Sequence, residues 1–254
     1  MLIVIDLGNT NTDLGVFRGA ELVAHFRLGS DRERTSDEYG ATVASLLRSR
    51  GLPTGQADGV VISSVVPQLT PAFVRLAREY LGCEPLVVEP GIKTGVPIRS
   101  DNPAEVGADR IVNALAAREA YGAPVVVVDF GTATTFDVVN AEGEYIGGII
   151  APGLTISADA LVRHASRLFE VDIRKPPRVV GRTTVGAMQS GLYYGYTGLV
   201  DGILERLFEE VEGLSMVVAT GGNASLIAEA SRHIREIAPN LTLEGLRLIH
   251  EQNR

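Results

Sequence analysis

The chain has 254 residues, of which 45% are apolar and 21% charged, and its net charge is −8. That is a globular composition, long enough for one large core or two smaller ones, and it excludes disordered, collagen-like and disulfide-scaffold chains. So acidic a chain lacks the clustered cations that displace phosphate counterions, so nucleic acid is not an expected partner. An anionic ligand would be held locally instead, by backbone N–H groups or a metal ion.

The start, Met1 to Ile5, is apolar but is interrupted by Asp6 and carries no basic flank. It is too short for a signal peptide or a membrane span, so a cytoplasmic protein with no membrane partner is expected. Leu2–Ile5 reads as a buried strand ending in the turn Asp6-Leu7-Gly8-Asn9-Thr10-Asn11-Thr12-Asp13, and more β-like sequence follows at Leu14–Phe17 and Leu22–Leu28. Ser36 to Arg50 has helical spacing, with Ser36 as an imperfect N-cap because Tyr39 stands where Glu is preferred. Val60–Ile62 reads as a strand, Thr70–Leu81 as a helix with Pro71 in its first turn, and Leu86–Val88 as a strand. Cys83 is the only cysteine, which rules out an intrachain disulfide and a thiolate zinc cluster and favours a reducing compartment. A loop spans Pro90–Pro103, and Asp109–Tyr121 reads as a helix leading into the second half.

Val125–Val128 repeats the opening pattern: an apolar run, then Asp129-Phe-Gly131-Thr132-Ala-Thr134-Thr135. Strand-like sequence follows at Phe136–Asn140 and Tyr145–Ile150. The offset matches Asp6 to Asp129, Gly8 to Gly131 and Thr12 to Thr135, which is the spacing of a domain duplication. Gly153–Arg167 and Thr184–Glu210 read as helices around a loop at Pro176–Arg182. Met216–Ala219 reads as a strand, Ala224–Arg232 as a helix and Gly245–Gln252 as a short closing helix. The four histidines (His25, His164, His233, His250) have no close ligand spacing, so no catalytic zinc is expected. Each half therefore predicts an α/β unit, a mixed sheet flanked by helices, with the halves at 1–115 and 116–254.

A carboxylate at the end of a buried parallel strand sits where α/β folds bind ligands. Glycine lets the backbone turn tightly there, while Asn9, Thr10, Thr12, Thr132, Thr134 and Thr135 offer amide and hydroxyl groups. The combination fits polyphosphate, with the acid holding a divalent cation. A lone Asp-x-Gly turn is commonly structural; two matched copies after matched strands point to a ligand. No P-loop, Rossmann or protein-kinase signature is present. A third turn, Thr220-Gly221-Gly222, follows another apolar strand, and either an adenosine contact or a plain strand-to-helix turn explains it. Asp109 could cap its helix or serve a substrate, and Thr184 could cap the helix that it begins. At a helix N-terminus the dipole would favour a low pKa for Asp109. Asp137 reads as a surface residue. Gly191, Gly195 and Gly198 form a small flank that suits either close core packing or a subunit seam.

The paired acidic turns resemble those of the sugar kinase, actin and heat-shock ATPase superfamily. Asp101-Asn-Pro-Ala-Glu-Val-Gly-Ala-Asp-Arg110, Gly147–Gly153, Thr184–Gly191 and Ala219–Asn223 narrow the resemblance to type III pantothenate kinases. The resemblance implies two duplicated RNase H-like domains with a nucleotide cleft between them. It also implies direct in-line transfer from ATP to the primary hydroxyl of pantothenate, the first step towards coenzyme A. It implies that Asp6–Asp13 and Thr132 bind ATP, with Asp6 near Mg2+, and that Asp129 holds a monovalent cation (K+ or NH4+). Ser100, Gly107, Ala108, Asp109, Arg110 and Thr184 would contact pantothenate, with Asp109 as base, in a homodimer. Ser100 departs from the family pattern, which usually has an aromatic residue there.

Overall fold

In the computed structural model, which describes residues 1–254, the first apolar run forms strand β1 (Leu2–Leu7). Strand β2 (Asn11–Arg18) follows antiparallel to it, and β3 (Glu21–Gly29) antiparallel to β2. Helix α1 (Ser36–Ser49) then crosses to β4 (Gly59–Ser64), which runs parallel to β1, and α2 (Thr70–Tyr80) crosses to the short edge strand β5 (Leu86–Val87). The order in the sheet is β3-β2-β1-β4-β5.

Alternation along β1 sends Ile3, Ile5 and Leu7 into a core with Tyr39, Val43 and Leu47 of α1 and Phe73 and Leu76 of α2. The opposite face, which carries Val4 and Asp6, is where α7 (Leu241–Gln252) packs, and Leu243 of α7 lies against Gly15. The start of α1 differs from expectation. Its cap is Thr35, not Ser36, and Thr35 with Glu38 forms a complete capping box: the Glu38 amide donates to the Thr35 hydroxyl and the Thr35 amide to the Glu38 carboxylate. Ser36 is the first helical residue and is buried.

The second sheet repeats the first. Strands β6 (Val125–Phe130), β7 (Ala133–Val139) and β8 (Tyr145–Pro152) are antiparallel neighbours. Helices α4 (Leu154–His164) and α5 (Thr184–Glu210) lead to β9 (Met216–Gly221), parallel to β6. The short helix α6 (Ala224–Ala228) leads to the two-residue edge strand β10 (Glu236–Ile237). The order β10-β9-β6-β7-β8 is that of the first sheet. Val126, Val128 and Phe130 pack on Leu192, Tyr196, Val200 and Leu204 of α5 and Ile227 of α6. α4 and α6 are shorter than their periodicity predicts: α4 stops at His164, before Ala165, and α6 yields to a loop that Asp201 of α5 holds through the Ser231 hydroxyl (2.6 Å) and the Arg232 amide. β10 carries no apolar run and was not expected.

Two compact units result: 1–96, 101–116 and 241–254 form the first, and 97–100 with 117–240 the second. This corrects the expected division at 115/116, because the closing helix belongs to the first unit. α7 is longer than the 245–252 segment expected, and its Leu241, Leu243, Leu246 and Ile249 are buried. Each such side chain contributes about 1.5–3 kcal/mol relative to exposure. Gly245 lets α7 approach Val112 of α3 (Ala108–Tyr121), and the Thr242 hydroxyl donates to Asn113 at 2.7 Å. An amphipathic helix at the chain end could cover either sheet; complementarity to the open face of the first decides it.

Candidate active site

The Asp6 turn is built on register. Asp6 stands opposite Asp13 of β2 and beside Ser63 of β4, so the three share the face that also carries α7. Between the strands lie Gly8, Asn9 and Thr10. The Gly8 amide donates to the Asn11 carbonyl at 3.0 Å, and a side chain at Gly8 would place its Cβ 2.8 Å from that oxygen. Only glycine allows this closeness, and Asn9, Thr10 and Asn11 are left exposed at the lip.

Leu7 and Thr12 point the other way and are fully buried, the Thr12 hydroxyl meeting that of Ser30 at 2.9 Å. Asp13, expected to serve the phosphate turn, has its carboxylate engaged by His25 (2.6 Å) and Arg27 (2.9 Å). Burial pushes its pKa up, but the hydrogen bonds from His25 and Arg27 outweigh that and hold it below the usual value.

The Asp129 turn is one residue shorter: only Gly131 and Thr132 separate β6 from β7. Asp129 therefore faces Thr135, and Thr134, fully buried and bonded to the Tyr196 hydroxyl, is the counterpart of Thr12. The expected match of Thr12 to Thr135 is off by this one residue. On the other side Asp129 is in register with Thr220, which brings the third turn beside it. Gly221 has φ +88°, and a Cβ there would lie 2.6 Å from Asp129 Oδ1 and 2.7 Å from the Phe130 backbone. The Gly153 amide, at the cap of α4, donates to the Thr132 carbonyl at 3.1 Å. No side chain caps α4, so its first N–H groups open beside this turn, as suits an anion. Asp137 is not a surface residue. It is fully buried, and the hydroxyls of Thr135 (3.0 Å) and Tyr145 (3.1 Å) donate to it.

Asp109 is the second residue of α3, not its N-cap, and is half-buried. Its Oδ1 accepts from the Arg110 amide at 2.8 Å and lies so close over Gly107 that a Cβ there would stand 2.6 Å away. Burial raises its pKa; the Arg110 amide and guanidinium oppose the shift without cancelling it. The low pKa expected from the helix dipole is thus corrected, since desolvation of the carboxylate wins. Thr184 is exposed at the first position of α5, whose cap is Thr183, its hydroxyl accepting from the Gly186 amide at 3.1 Å. Ser100 Oγ is buried with no hydrogen-bond partner. Sequence reasoning passed over Ser63, whose fully buried hydroxyl also lacks one. Its signal was the polar ending of an apolar strand, Gly59–Ser64.

The chain aligns in fold, over nearly its whole length, with solved structures of low sequence identity. It is similar to the inorganic polyphosphate/ATP-glucomannokinase of an Arthrobacter strain (TM-score 0.52, 17% identity, 99% of this chain and 98% of the other). It is likewise similar to the activator of 2-hydroxyisocaproyl-CoA dehydratase from Clostridium difficile, solved with ADPNP (TM-score 0.59, 12% identity, 99% and 95%). Two mixed sheets of one order, each with an acidic turn at the end of its first strand, define a duplicated two-domain α/β fold.

Within that class, the type III pantothenate kinase family matches residues 2–206. Relatives of that description from Geobacter sulfurreducens (55% identity over 254 residues) and Moorella thermoacetica (51% over 253) cover all of both chains. The chain belongs to the type III pantothenate kinases. It uses ATP with a divalent metal to phosphorylate pantothenate, a step of coenzyme A biosynthesis.

Proposed function

We propose that Asp109 is the base of this reaction and that transfer from ATP to the pantothenate hydroxyl is direct and in line. The observation that carries the reading is the placement of Asp109: a carboxylate folded over Gly107 in the first turn of α3, with a raised proton affinity. In a loose transition state the alcohol proton leaves late, so such a group mainly orients the hydroxyl and accepts its proton at the end. Gly107, Ala108, Arg110, Ser100 and Thr184 bind pantothenate. Arg110 suits a carboxylate bidentately, and the orphaned Ser100 hydroxyl suits a polar group of the substrate where an aromatic residue is usual.

ATP is held by the turn Asp6–Asp13 and by Thr132. Asp6 and the amides and side chains of Asn9 and Thr10 make the contacts, Gly8 closes the turn through its bond to the Asn11 carbonyl, Leu7 and Thr12 shape it from behind, and Asp13 is held beside Asp6 by His25 and Arg27. No group of three or more His, Cys, Asp or Glu side chains could hold a metal alone. A single carboxylate, Asp6, fits magnesium that arrives on phosphate oxygens, where it neutralises developing charge. Asp129, beside Gly221 and in register with Thr135 and Thr220, holds potassium or ammonium. No helix is long and apolar enough to cross a membrane, and the lone Cys83 suits the cytoplasm.

An ADP-release assay tests these assignments. Turnover is expected with pantothenate and not with hexoses, and omitting potassium and ammonium should cut it at least about tenfold. Asp129→Asn should abolish that cation response; if it responds like the parent, Asp129 is not the cation site.

The chain acts as a homodimer. Gly191, Gly195 and Gly198 lie along one flank of α5 with no atom within 4 Å of a Cβ built on any of them, so this flank is open to a partner helix. Light scattering should give twice the chain mass for the parent and the monomer mass for Gly195→Arg. A parent that runs as a monomer rejects the seam.

A further inference from the structure

The segment between β3 and α1 is fastened to the Asp6 turn at three points. The Ser30 amide donates to the Thr10 carbonyl at 3.0 Å, the Ser30 and Thr12 hydroxyls meet at 2.9 Å, and Arg32 Nη2 donates to Asn9 Oδ1 at 3.2 Å. The segment is itself held from below. Tyr39 is fully buried, its ring 4.6 Å from that of Phe73, and its hydroxyl accepts from the Asp31 amide at 2.7 Å and donates to a carbonyl of this segment, Asp31 O lying at 3.0 Å.

Most other charges here are already used. Asp31 accepts from the Glu33 amide at 3.0 Å, Glu38 closes the capping box, Arg34 lies over the Tyr39 ring and Arg27 pairs with Asp13. Arg32 differs: it is exposed, it pairs with no carboxylate, and its one hydrogen bond is to a neutral amide on the lip of the turn. In a chain of net charge −8, a guanidinium held at that lip by a braced segment is suited to the oxygens of a polyphosphate.

We propose that Arg32 is a catalytic residue of the phosphoryl transfer: it leaves Asn9 and binds the terminal phosphate of ATP, neutralising charge as the group transfers. This rests on the reading of Asp6–Asp13 as the phosphate turn. Guanidinium groups in this role are worth about 10³–10⁵ in rate where fully enclosed, and a solvent-exposed one is expected to give less.

The test uses the full-length enzyme with four variants. Arg32→Gln should lower kcat about 30- to 100-fold, with the KM for pantothenate unchanged and ADP affinity by calorimetry within threefold of the parent. Arg32→Lys should recover part of the rate. Arg34→Gln, which removes a cation two residues away, should stay within twofold. Gln and Lys both keep a donor for Asn9, so a merely bracing Arg32 predicts parental kinetics for both, and that result overturns the proposal. So does a loss of ADP affinity as large as the loss of rate. Asp6→Asn separates the two levels. Parental turnover and nucleotide affinity in Asp6→Asn overturn the phosphate turn and the proposal with it. An inactive Asp6→Asn beside a fully active Arg32→Gln overturns only the arginine.

Discussion

Asp109→Asn is expected to lower kcat about 10²- to 10⁴-fold, the range that a positioned base contributes, while the melting temperature shows an intact fold. The smaller end of that range would mean that Asp109 chiefly orients the hydroxyl, as a loose transition state allows. Turnover near that of the parent would reject Asp109 as base. The pH profile gives the same group a second test. A base works deprotonated, so kcat/KM should rise with pH as Asp109 loses its proton. Burial holds its carboxyl above the ordinary value of 3.8, so the acidic limb should lie at higher pH than an unperturbed aspartate would give, and Asp109→Asn should lose it. The sign for stability is the reverse of a salt-bridged aspartate's. With a folded-state pKa above the unfolded one, ionising Asp109 costs the fold stability as pH rises past the unfolded value.

Gly221→Ala is expected to destabilise the protein by about 1–3 kcal/mol and to raise the potassium concentration needed for half-activation at least about tenfold. Two effects add. φ is +88° at this position, a region that costs an L-residue roughly 1–2 kcal/mol. The new Cβ would also stand 2.6 Å from Asp129 Oδ1, and either the carboxylate or the strand must move. Gly222→Ala is the control, because a Cβ there meets nothing within 4 Å and its φ is not positive. Thermal melts and potassium titrations of the two variants read both effects. Equal behaviour of the pair would mean that Gly221 does not shape the Asp129 turn.

Much of this architecture was legible beforehand, for identifiable reasons. β1 and β6 are unbroken apolar runs that end in Asp-x-Gly, a signal needing only local chemistry. α5 announced itself by length and periodicity. The duplication was visible because both turns kept their acid and glycine. The one-residue difference between the two turns was not, since a two-residue and a three-residue loop can carry similar letters. The true cap of α1 was one residue away from the expected Ser36, and Thr35 with Glu38 was readable as a capping box. Asp13 illustrates a different limit: its letter suits a phosphate turn, but His25 and Arg27 reach it from the neighbouring strand.

Sequence alone determined the class of every named element except β10, the doubled acidic turns and, through the Asn102-Pro103 and Gly107–Arg110 motif, the family. Three matters were decided only in the tertiary structure. α7 returned to the first sheet, because the face beside Val4 and Gly15 fits its leucines. The pKa of the Asp109 carboxyl is raised rather than lowered, because burial outweighs the Arg110 amide and guanidinium, and burial is a property of the packed whole. Gly221 came to lie beside Asp129, though 92 residues separate them, because parallel pairing of β6 and β9 sets them in neighbouring register. Local signals act over a few residues; register, burial and the pairing of distant strands depend on neighbours that the linear order does not name.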